Sequence, residues 1–413
     1  MKIAVIGGGA SGMMAALAAC KCGSDVTIYE KNDRVGKKLL ITGNGKCNFT
    51  NLDFSSDYFR SDSCLDKQIF FDTFGVEDTI RFFEDLGLLI KNKNGYLYPL
   101  CEQASVVLDL LRTACDREGI HTEVMTEIKK LQKKDGHFII DGKQVYDRVI
   151  LACGSKAGPK GISSGTGYLL AASFGHHIIT PVPALVQLRC KESFFKQLAG
   201  VRITCELTLY LDRRKTEQER GELQLTDYGI SGIPVFQFSR YAAKALQEKR
   251  NVHVSVNFLP DFTDEKYSSF IHNRFERKKG ETAEEFFLGI TNKKIIQLFF
   301  KLTDLKPGEL IEETNRKKWE KVFSLLRKFD TQVKECNPFE NAQVCAGGVS
   351  MEEVGNTLES VLVSGLFFAG EMLDVDGRCG GYNLQWAWTS GYVAGKNAAK
   401  GKKGADGSKD DKD

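Results

Sequence analysis

The stretch from Lys2 to Glu30, KIAVIGGGASGMMAALAACKCGSDVTIYE, limits the fold more than any other part of the chain. Residues 2–6 are a short β-branched run ending in glycines, the pattern of a buried parallel strand. Residues 10–22 follow as a helix of small and apolar residues, with Gly23 as its expected C-terminal cap. DVTIYE then reads as a second strand, ending on Glu30. Gly7-x-Gly9-x-x-Gly12 therefore lies between a strand and a helix, and an acid closes the next strand. The three glycines serve different ends. Gly7 permits the tight turn, Gly9 the approach of a pyrophosphate, and Gly12 the close packing of helix on strand. Ala10 and Ser11 open the helix, whose free N–H groups and positive dipole end face the phosphates. Glu30 can accept both hydroxyl protons of an adenosine ribose. Alone the glycine pattern is weak; in register with strand, helix, strand and acid it predicts dinucleotide binding. It leaves NAD and FAD open.

The remaining totals exclude several classes. A net charge of +3 on 413 residues is too small to argue for nucleic acid or an anionic membrane. No apolar run reaches the length of a membrane span. The first twenty residues imitate a lipoprotein leader, but cleavage before Cys20 would discard a motif completed only at Glu30, so they read as mature structure. The twelve cysteines contain no CxxC. They read as reduced thiols of a cytoplasmic protein, and the Cys20–Cys22 pair as small helix residues. The six histidines show no metal spacing, so no metal site is expected.

Two segments extend the dinucleotide reading. KNDRVGKKLLITGNGKCNFTN (31–51) has neither helical nor strand period. Lys31, Arg34, Lys37 and Lys38 suit phosphates, while Gly43, Asn44, Gly45, Cys47 and Asn48 suit contact along a cofactor. At the other end, GLFFAGE (365–371) is an apolar strand closing on Gly370 and Glu371. Gly380 and Gly381 then precede a helix beginning at Tyr382 and Asn383. Its N-terminus is positioned to stabilise negative charge on the pyrimidine edge of a reduced flavin. NAD needs no such C-terminal half, so the two ends together point to FAD. Cys47 and Cys379 sit in loops shaped for contact, so the FAD is expected to be non-covalent.

Between these ends, QASVVLDLLRTACDREGI (103–120) is an amphipathic helix, and residues 121–154 are successive short strands, the last ending on Gly154. From about Leu185 the runs ALVQLRC, VRITCELTLYLD and VHVSVNFL alternate as antiparallel strands. GELQLTDYGISGIPVFQFSRYAAKALQ (221–247) reads as a loop and a helix. Residues 261–330 are helical, with 15 Lys/Arg against 13 Asp/Glu, a solvated face more than a phosphate-binding one. Strands return at 343–349. The expected fold is α/β: a Rossmann FAD-binding domain (1–184 and 343–399) interrupted by a β-barrel substrate domain (185–260 and 331–342). The barrel carries a helical insert (261–330), and a disordered tail closes the chain (400–413).

The segments GGGASGMMAA, RVGKKLLITGNGKCNFTN, TDYGISGIPVFQFSR, QVCAGGV and GLFFAGEMLDVDGRCGGYNLQWAWTSGYVAG resemble the YhiN/BaiN-type (aminoacetone-oxidase-like) NAD(P)/FAD-dependent flavoproteins over nearly the whole chain. The chain departs from that pattern at Asp227, where many members carry histidine, at Cys345 for a frequent threonine, and at Thr166 for an acid. The resemblance implies a glutathione-reductase-like FAD domain around a barrel. It also implies a reductase that uses NAD(P)H on a conjugated C=C bond of a bile-acid-like 3-oxo enone. Its rivals are an aminoacetone-like amine oxidase yielding hydrogen peroxide, and an RNA-associated flavoprotein. A small-molecule substrate without nucleic acid or membrane is the leading expectation; the oligomer is left open. The substrate-side candidates are Tyr228 and Ser231 in the barrel segment and Asp374 and Asp376 beside the flavin loop. A tyrosine can donate a proton or bond a carbonyl oxygen, and a carboxylate can anchor an amine. With one fingerprint committed to FAD, NAD(P)H is expected to share the substrate's cleft between the two domains and to act in turn with it.

Overall fold

The computed structural model describes residues 1–63 and 66–400. The tail expected at 400–413, Lys400 apart, and Cys64 lie outside the described residues. The chain divides into two compact units, residues 1–181 with 346 onward, and Val182–Cys345.

The first unit is built on a five-stranded sheet in the order Leu366–Phe368, Arg148–Leu151, Lys2–Ile6, Asp25–Tyr29, His121–Glu123, parallel throughout. Its central strands are apolar because both faces are covered. The helix Ala10–Lys21 returns the chain from the first strand to the second. It is buried from Ser11 to Ala19 on every side, so its apolar residues show no single stripe. What covers its outer side is the last helix, Tyr382–Ala398. A Cβ on Gly391 would stand 2.5 Å from the Ser11 carbonyl oxygen, and one on Gly395 2.1 Å from that of Ala15. The pair falls four residues apart, on one helix face, and lets two backbones touch.

The last helix also ties down what surrounds it. Trp388 Nε1 donates to the Phe49 carbonyl at 2.9 Å. Buried Gln385 accepts from Thr50 Oγ1 at 2.6 Å and donates to Thr79 Oγ1 and Thr389 Oγ1 at 2.9 and 3.0 Å. Buried amides are costly unless satisfied, so this network fixes the helix in one rotation. Across the sheet, Leu131–Lys134, His137–Ile140 and Gln144–Tyr146 form a small antiparallel meander.

The second unit is a closed six-stranded antiparallel barrel in the order Leu188–Cys190, Gly229–Ser231, Arg214–Leu225, Arg202–Leu211, Val252–Asn257, Phe329–Cys336. Cys205, Leu207, Leu209 and Leu211 point inward at every second position. Four helices, Asp264–Lys278, Ala283–Phe287, Lys293–Thr303 and Arg316–Arg327, occupy the chain between the last two strands. Phe275, Phe286 and Phe287 of the first two pack on Trp319 and Phe323 of the last.

The stretch before Tyr228 corrects the reading from sequence. Residues 221–225 are not loop but the end of the long strand Arg214–Leu225, and Gly229–Ser231 is a further strand. RKTEQERGELQL hides this because half of its residues are charged and only Leu223 and Leu225 are buried. The register opposes Arg220 to Glu206, a favourable cross-strand pair. Similarly, residues 39–45 are not featureless: they wind into short 3-10 turns broken at Thr42, Gly43 and Asn44.

The packing of the first unit is testable at two positions. Gly→Ala at an exposed helix interior gains up to about 1 kcal/mol of helix propensity. At Gly395 the new methyl meets the Ala15 carbonyl, and overpacking of this kind costs about 1–3 kcal/mol. Gly395→Ala is therefore expected to lower the urea midpoint, and a raised midpoint would deny the contact. The second position is His176, whose ring is buried with Nδ1 3.1 Å from Glu353 Oε2 and Nε2 2.8 Å from Ser360 Oγ. Burial outweighs the Glu353 charge and lowers its pKa below the ordinary 6.5. The folded state then favours neutral imidazole, so this stability is present above the ordinary value and is lost as pH falls below it. Urea midpoints should fall between about pH 7 and pH 5, less steeply for His176→Gln; equal slopes would remove His176 as a cause.

Candidate functional site

The fingerprint turn is built by steric need. Gly7 has φ +109°, and a Cβ there would stand 2.4 Å from the Ala152 carbonyl oxygen. A Cβ on Gly12 would stand 1.9 Å from the Gly7 oxygen, so turn, helix and sheet close on one another. Gly9 is different: nothing lies within 4 Å of its Cβ position, and the same holds at Gly154. Backbone is thus bared at the start of the helix, where Gly9 is the N-cap and no side chain caps the end. Open N–H groups beside bared backbone form a phosphate cradle.

Glu30 is nearly buried and anchors this turn. Its Oε2 accepts from Gly8 N at 2.9 Å, and Oε1 accepts from Asn32 N at 2.8 Å and Asn32 Nδ2 at 2.7 Å. Both oxygens keep lone pairs for ribose hydroxyls. Gly8, which the spacing does not single out, is required as well: its Cβ would fall 2.5 Å from Val35 Cγ1.

The lysines after Glu30 are committed to partners. Lys37 pairs with Asp33 at 2.6 Å, Lys31 donates to Ser164 Oγ at 2.8 Å, and Arg34 lies 4.0 Å from Asp33. Lys38 reaches across to Glu371 Oε2 at 2.5 Å, while Ser155 Oγ donates to Glu371 Oε1 at 2.7 Å. Glu371 is thereby ion-paired and held from two directions. Further on, Gly43, Asn44, Gly45 and Cys47 all take positive φ, a coiled turn that brings Asn48 inward. Asn48 is nearly buried, and its Oδ1 has no hydrogen-bond partner.

The C-terminal motif closes on the fingerprint. Gly370 has φ +78°, and a Cβ there would lie 2.3 Å from Ser11 Oγ. Its N–H donates to Ser390 Oγ at 2.9 Å, and Trp386 Nε1 donates to its carbonyl at 3.2 Å. Gly381 caps the last helix without any side-chain cap, and its Cβ would stand 2.8 Å from the Thr50 carbonyl. Gly380 O accepts from Asn51 Nδ2 at 3.0 Å. Tyr382 is buried and donates to Asp53 O at 2.8 Å. Asn383 spends its side chain on the loop before it, accepting from Gly377 N and donating to Gly377 O. Burial pushes the thiols of Cys47 and Cys379 up to about 12 and about 11, so neither is a nucleophilic thiolate at neutral pH.

The substrate-side candidates fall in two places. Asp374 is fully buried, and its Oδ2 accepts from Ser61 Oγ at 2.9 Å and Asp62 N at 2.7 Å. Asp376 is buried opposite Arg60 in a short two-stranded ladder. In the barrel unit, Tyr228 Oη accepts from Asn337 Nδ2 at 3.0 Å, and the Arg189 guanidinium lies 4.5 Å over its ring. Asn337 in turn accepts from Arg189 Nε at 2.8 Å. Ser231 is buried and faces Gln224 across the ladder. The sequence reading passes over Gly8, Asn51, Ser155 and Ser390, whose positions matter only once distant segments meet. Gly391-x-x-x-Gly395 is the one legible signal among the omissions. Among the described residues no cluster of His, Cys, Asp or Glu could hold a metal ion, and no helix is long and apolar enough to cross a membrane.

An open cradle at Gly9, an acid with lone pairs at Glu30, a helix end without a side-chain cap at Gly381 and an orphaned amide oxygen at Asn48 fit an extended flavin dinucleotide. Fold and site together define a flavoprotein oxidoreductase of the Rossmann type. The chain belongs to the HI0933-like Rossmann family, whose model matches residues 1–397. It is 41% identical over 405 residues to a 3-dehydro-bile acid delta(4,6)-reductase of Clostridium scindens, covering 97% of this chain and 99% of that one. It is 26% identical to a ribosomal RNA dihydrouridine synthase of Haemophilus influenzae, covering 94% and 96%. A solved 3-ketosteroid-delta4-(5alpha)-dehydrogenase from Rhodococcus jostii matches with TM-score 0.47 at 14% identity, covering 97% of each chain.

Glu30→Gln keeps the shape of the side chain but puts an NH2 against the donors that Glu30 now satisfies. Charge-assisted bonds contribute about 1.5–3 kcal/mol, so the dissociation constant for FAD should rise about 10- to 150-fold in a fluorescence titration. An unchanged constant would leave Glu30 as a brace of the turn alone.

Proposed function

We propose that the chain is an FAD-dependent oxidoreductase that takes hydride from NAD(P)H and reduces a C=C bond conjugated to a carbonyl in a small, steroid-like 3-oxo enone. The observation that carries this is the 41% identity, across 97% of the chain, to a reductase whose name specifies a 3-oxo bile acid unsaturated at positions 4 and 6. The domain reading that goes with it is a glutathione-reductase-like FAD domain around a barrel with a helical insert at 261–330.

Bound FAD would supply a two-electron store that accepts hydride from a nicotinamide and returns it to carbon. The chain's residues do the rest. Glu30 and the fingerprint helix would hold the adenosine and its phosphates, and Lys38 and Ser155 fix Glu371. The N-terminus of the last helix, at Gly381, would favour negative charge on the pyrimidine edge. Reduction of an enone also needs a proton and polarisation of its carbonyl. Tyr228 is the candidate: its oxygen accepts from Asn337, which directs its own O–H elsewhere. Ser231, Asp374 and Asp376 are the further polar groups proposed on the substrate side. The described cysteines form no disulfide and the sequence has no CxxC, so the proposal includes no disulfide relay. One fingerprint for two nucleotides gives alternating use of the enzyme and parallel lines in steady-state kinetics.

A second reading has an observation of its own, the relative that makes dihydrouridine in ribosomal RNA. Dihydrouridine is uridine with its ring C=C bond saturated, again a double bond conjugated to a carbonyl. The reaction class is therefore shared, and the substrate distinguishes the two.

The test is anaerobic. Enzyme reduced with NADPH or NADH is mixed with a 3-oxo-4,6-diene bile acid, with uridine-containing ribosomal RNA, or with oxygen. Fast return of the oxidised flavin spectrum with the diene, and loss of the diene's absorbance, is the expected result. Reoxidation by RNA alone would move the substrate to nucleic acid, and by oxygen alone would make the protein an oxidase. Tyr228→Phe should slow the diene step about 10²- to 10⁴-fold with FAD content unchanged. Normal turnover would remove Tyr228 from the mechanism.

A further inference from the structure

Three asparagines surround the glycine turn at the start of the last helix, and two of them are used up. Asn51 donates to Gly380 O at 3.0 Å and accepts from Asp53 N at 3.0 Å. Asn383 donates to Gly377 O at 2.9 Å and accepts from Gly377 N at 2.8 Å. Asn48 is the exception: it is 9% exposed, and its Oδ1 is buried without a hydrogen-bond partner. A buried carbonyl oxygen without a donor is destabilising and calls for an explanation.

Its position supplies one. The Cβ position of Gly381 lies 3.0 Å from Asn48 Oδ1, so the oxygen is aimed at the N-cap of the helix Tyr382–Ala398. That helix runs for 17 residues and has no side-chain cap, so its first N–H groups are donors. On the other side, the Cβ position of Gly43 lies 2.9 Å from Asn48 N. The site thus presents several donors and one acceptor between two glycine turns.

The pyrimidine edge of an oxidised isoalloxazine has the complementary order: carbonyl, N–H, carbonyl. Helix N–H groups suit its carbonyls and cannot serve its N3–H, which needs an acceptor. We propose that Asn48 Oδ1 accepts the flavin N3–H and, with the N-terminus of the last helix, recognises this edge of the ring. The assignment rests on the FAD reading above and adds the residue that reads the ring rather than the adenosine.

The experiment uses apoprotein stripped of flavin and reconstituted with FAD or with 3-methyl-FAD, which lacks the N3 proton. The wild type should bind 3-methyl-FAD about tenfold or more weakly than FAD, the worth of one buried hydrogen bond. Asn48→Leu should bind FAD more weakly by a similar factor and no longer distinguish the two. Wild type that binds both flavins equally overturns the assignment even if the variant fails to fold. A variant that still prefers FAD as strongly as wild type also overturns it. So does one whose FAD affinity is unchanged while its midpoint potential falls, since Asn48 would then serve N5–H of the reduced ring. Wild type that binds neither flavin instead overturns the FAD reading itself.

Discussion

Gly370 and Ser11 touch where a single methyl group would drive their segments apart. One belongs to the motif that closes the domain and the other to the helix that follows the first glycine-rich turn. Their contact sets how far the start of the fingerprint helix stands from the start of the last helix, and so the span that a ligand must match. Gly391 and Gly395 extend the same closeness along the two helices, with Cβ positions at 2.5 and 2.1 Å from backbone oxygens. The steric requirement is severe, and it explains why the C-terminal helix is rich in glycine although glycine weakens helices.

Polar side chains then fix what the glycines bring near. Gln385 joins the last helix to Thr50 and Thr79, and Trp388 joins it to Phe49. Lys38 and Ser155 converge on Glu371 from segments far apart in the chain. The bonds of Gln385 and Trp388 are buried, where a satisfied network favours one arrangement and a half-satisfied one is costly. Preorganisation of this kind is what a cofactor site needs, since groups already held in place lose less freedom on binding.

How much of this the sequence disclosed depends on whether a signal was local. Strand, turn, helix and acid over residues 2–30 follow from periodicity and glycine spacing, and all four are where the pattern puts them. The barrel strand Arg202–Leu211 was legible because it alternates; Arg214–Leu225 was not, because solvent faces most of its charged side chains. Lys37 and Lys38 drew attention as phosphate ligands, yet their partners in the structure are carboxylates, one of them on the distant Glu371. Asn48 was readable as a residue near a cofactor. That its oxygen lacks a hydrogen-bond partner while Asn51 and Asn383 are satisfied is a fact of three dimensions.

The central claim is that one extended ligand spans both ends of the chain. Amide hydrogen exchange followed by mass spectrometry, with and without FAD, tests it directly. Peptides covering 7–21 and 370–395 should gain protection together, at the same flavin concentration. Protection of the N-terminal peptide alone, with 370–395 exchanging as before, would mean that the ligand stops at the adenosine and that the C-terminal motif serves packing only.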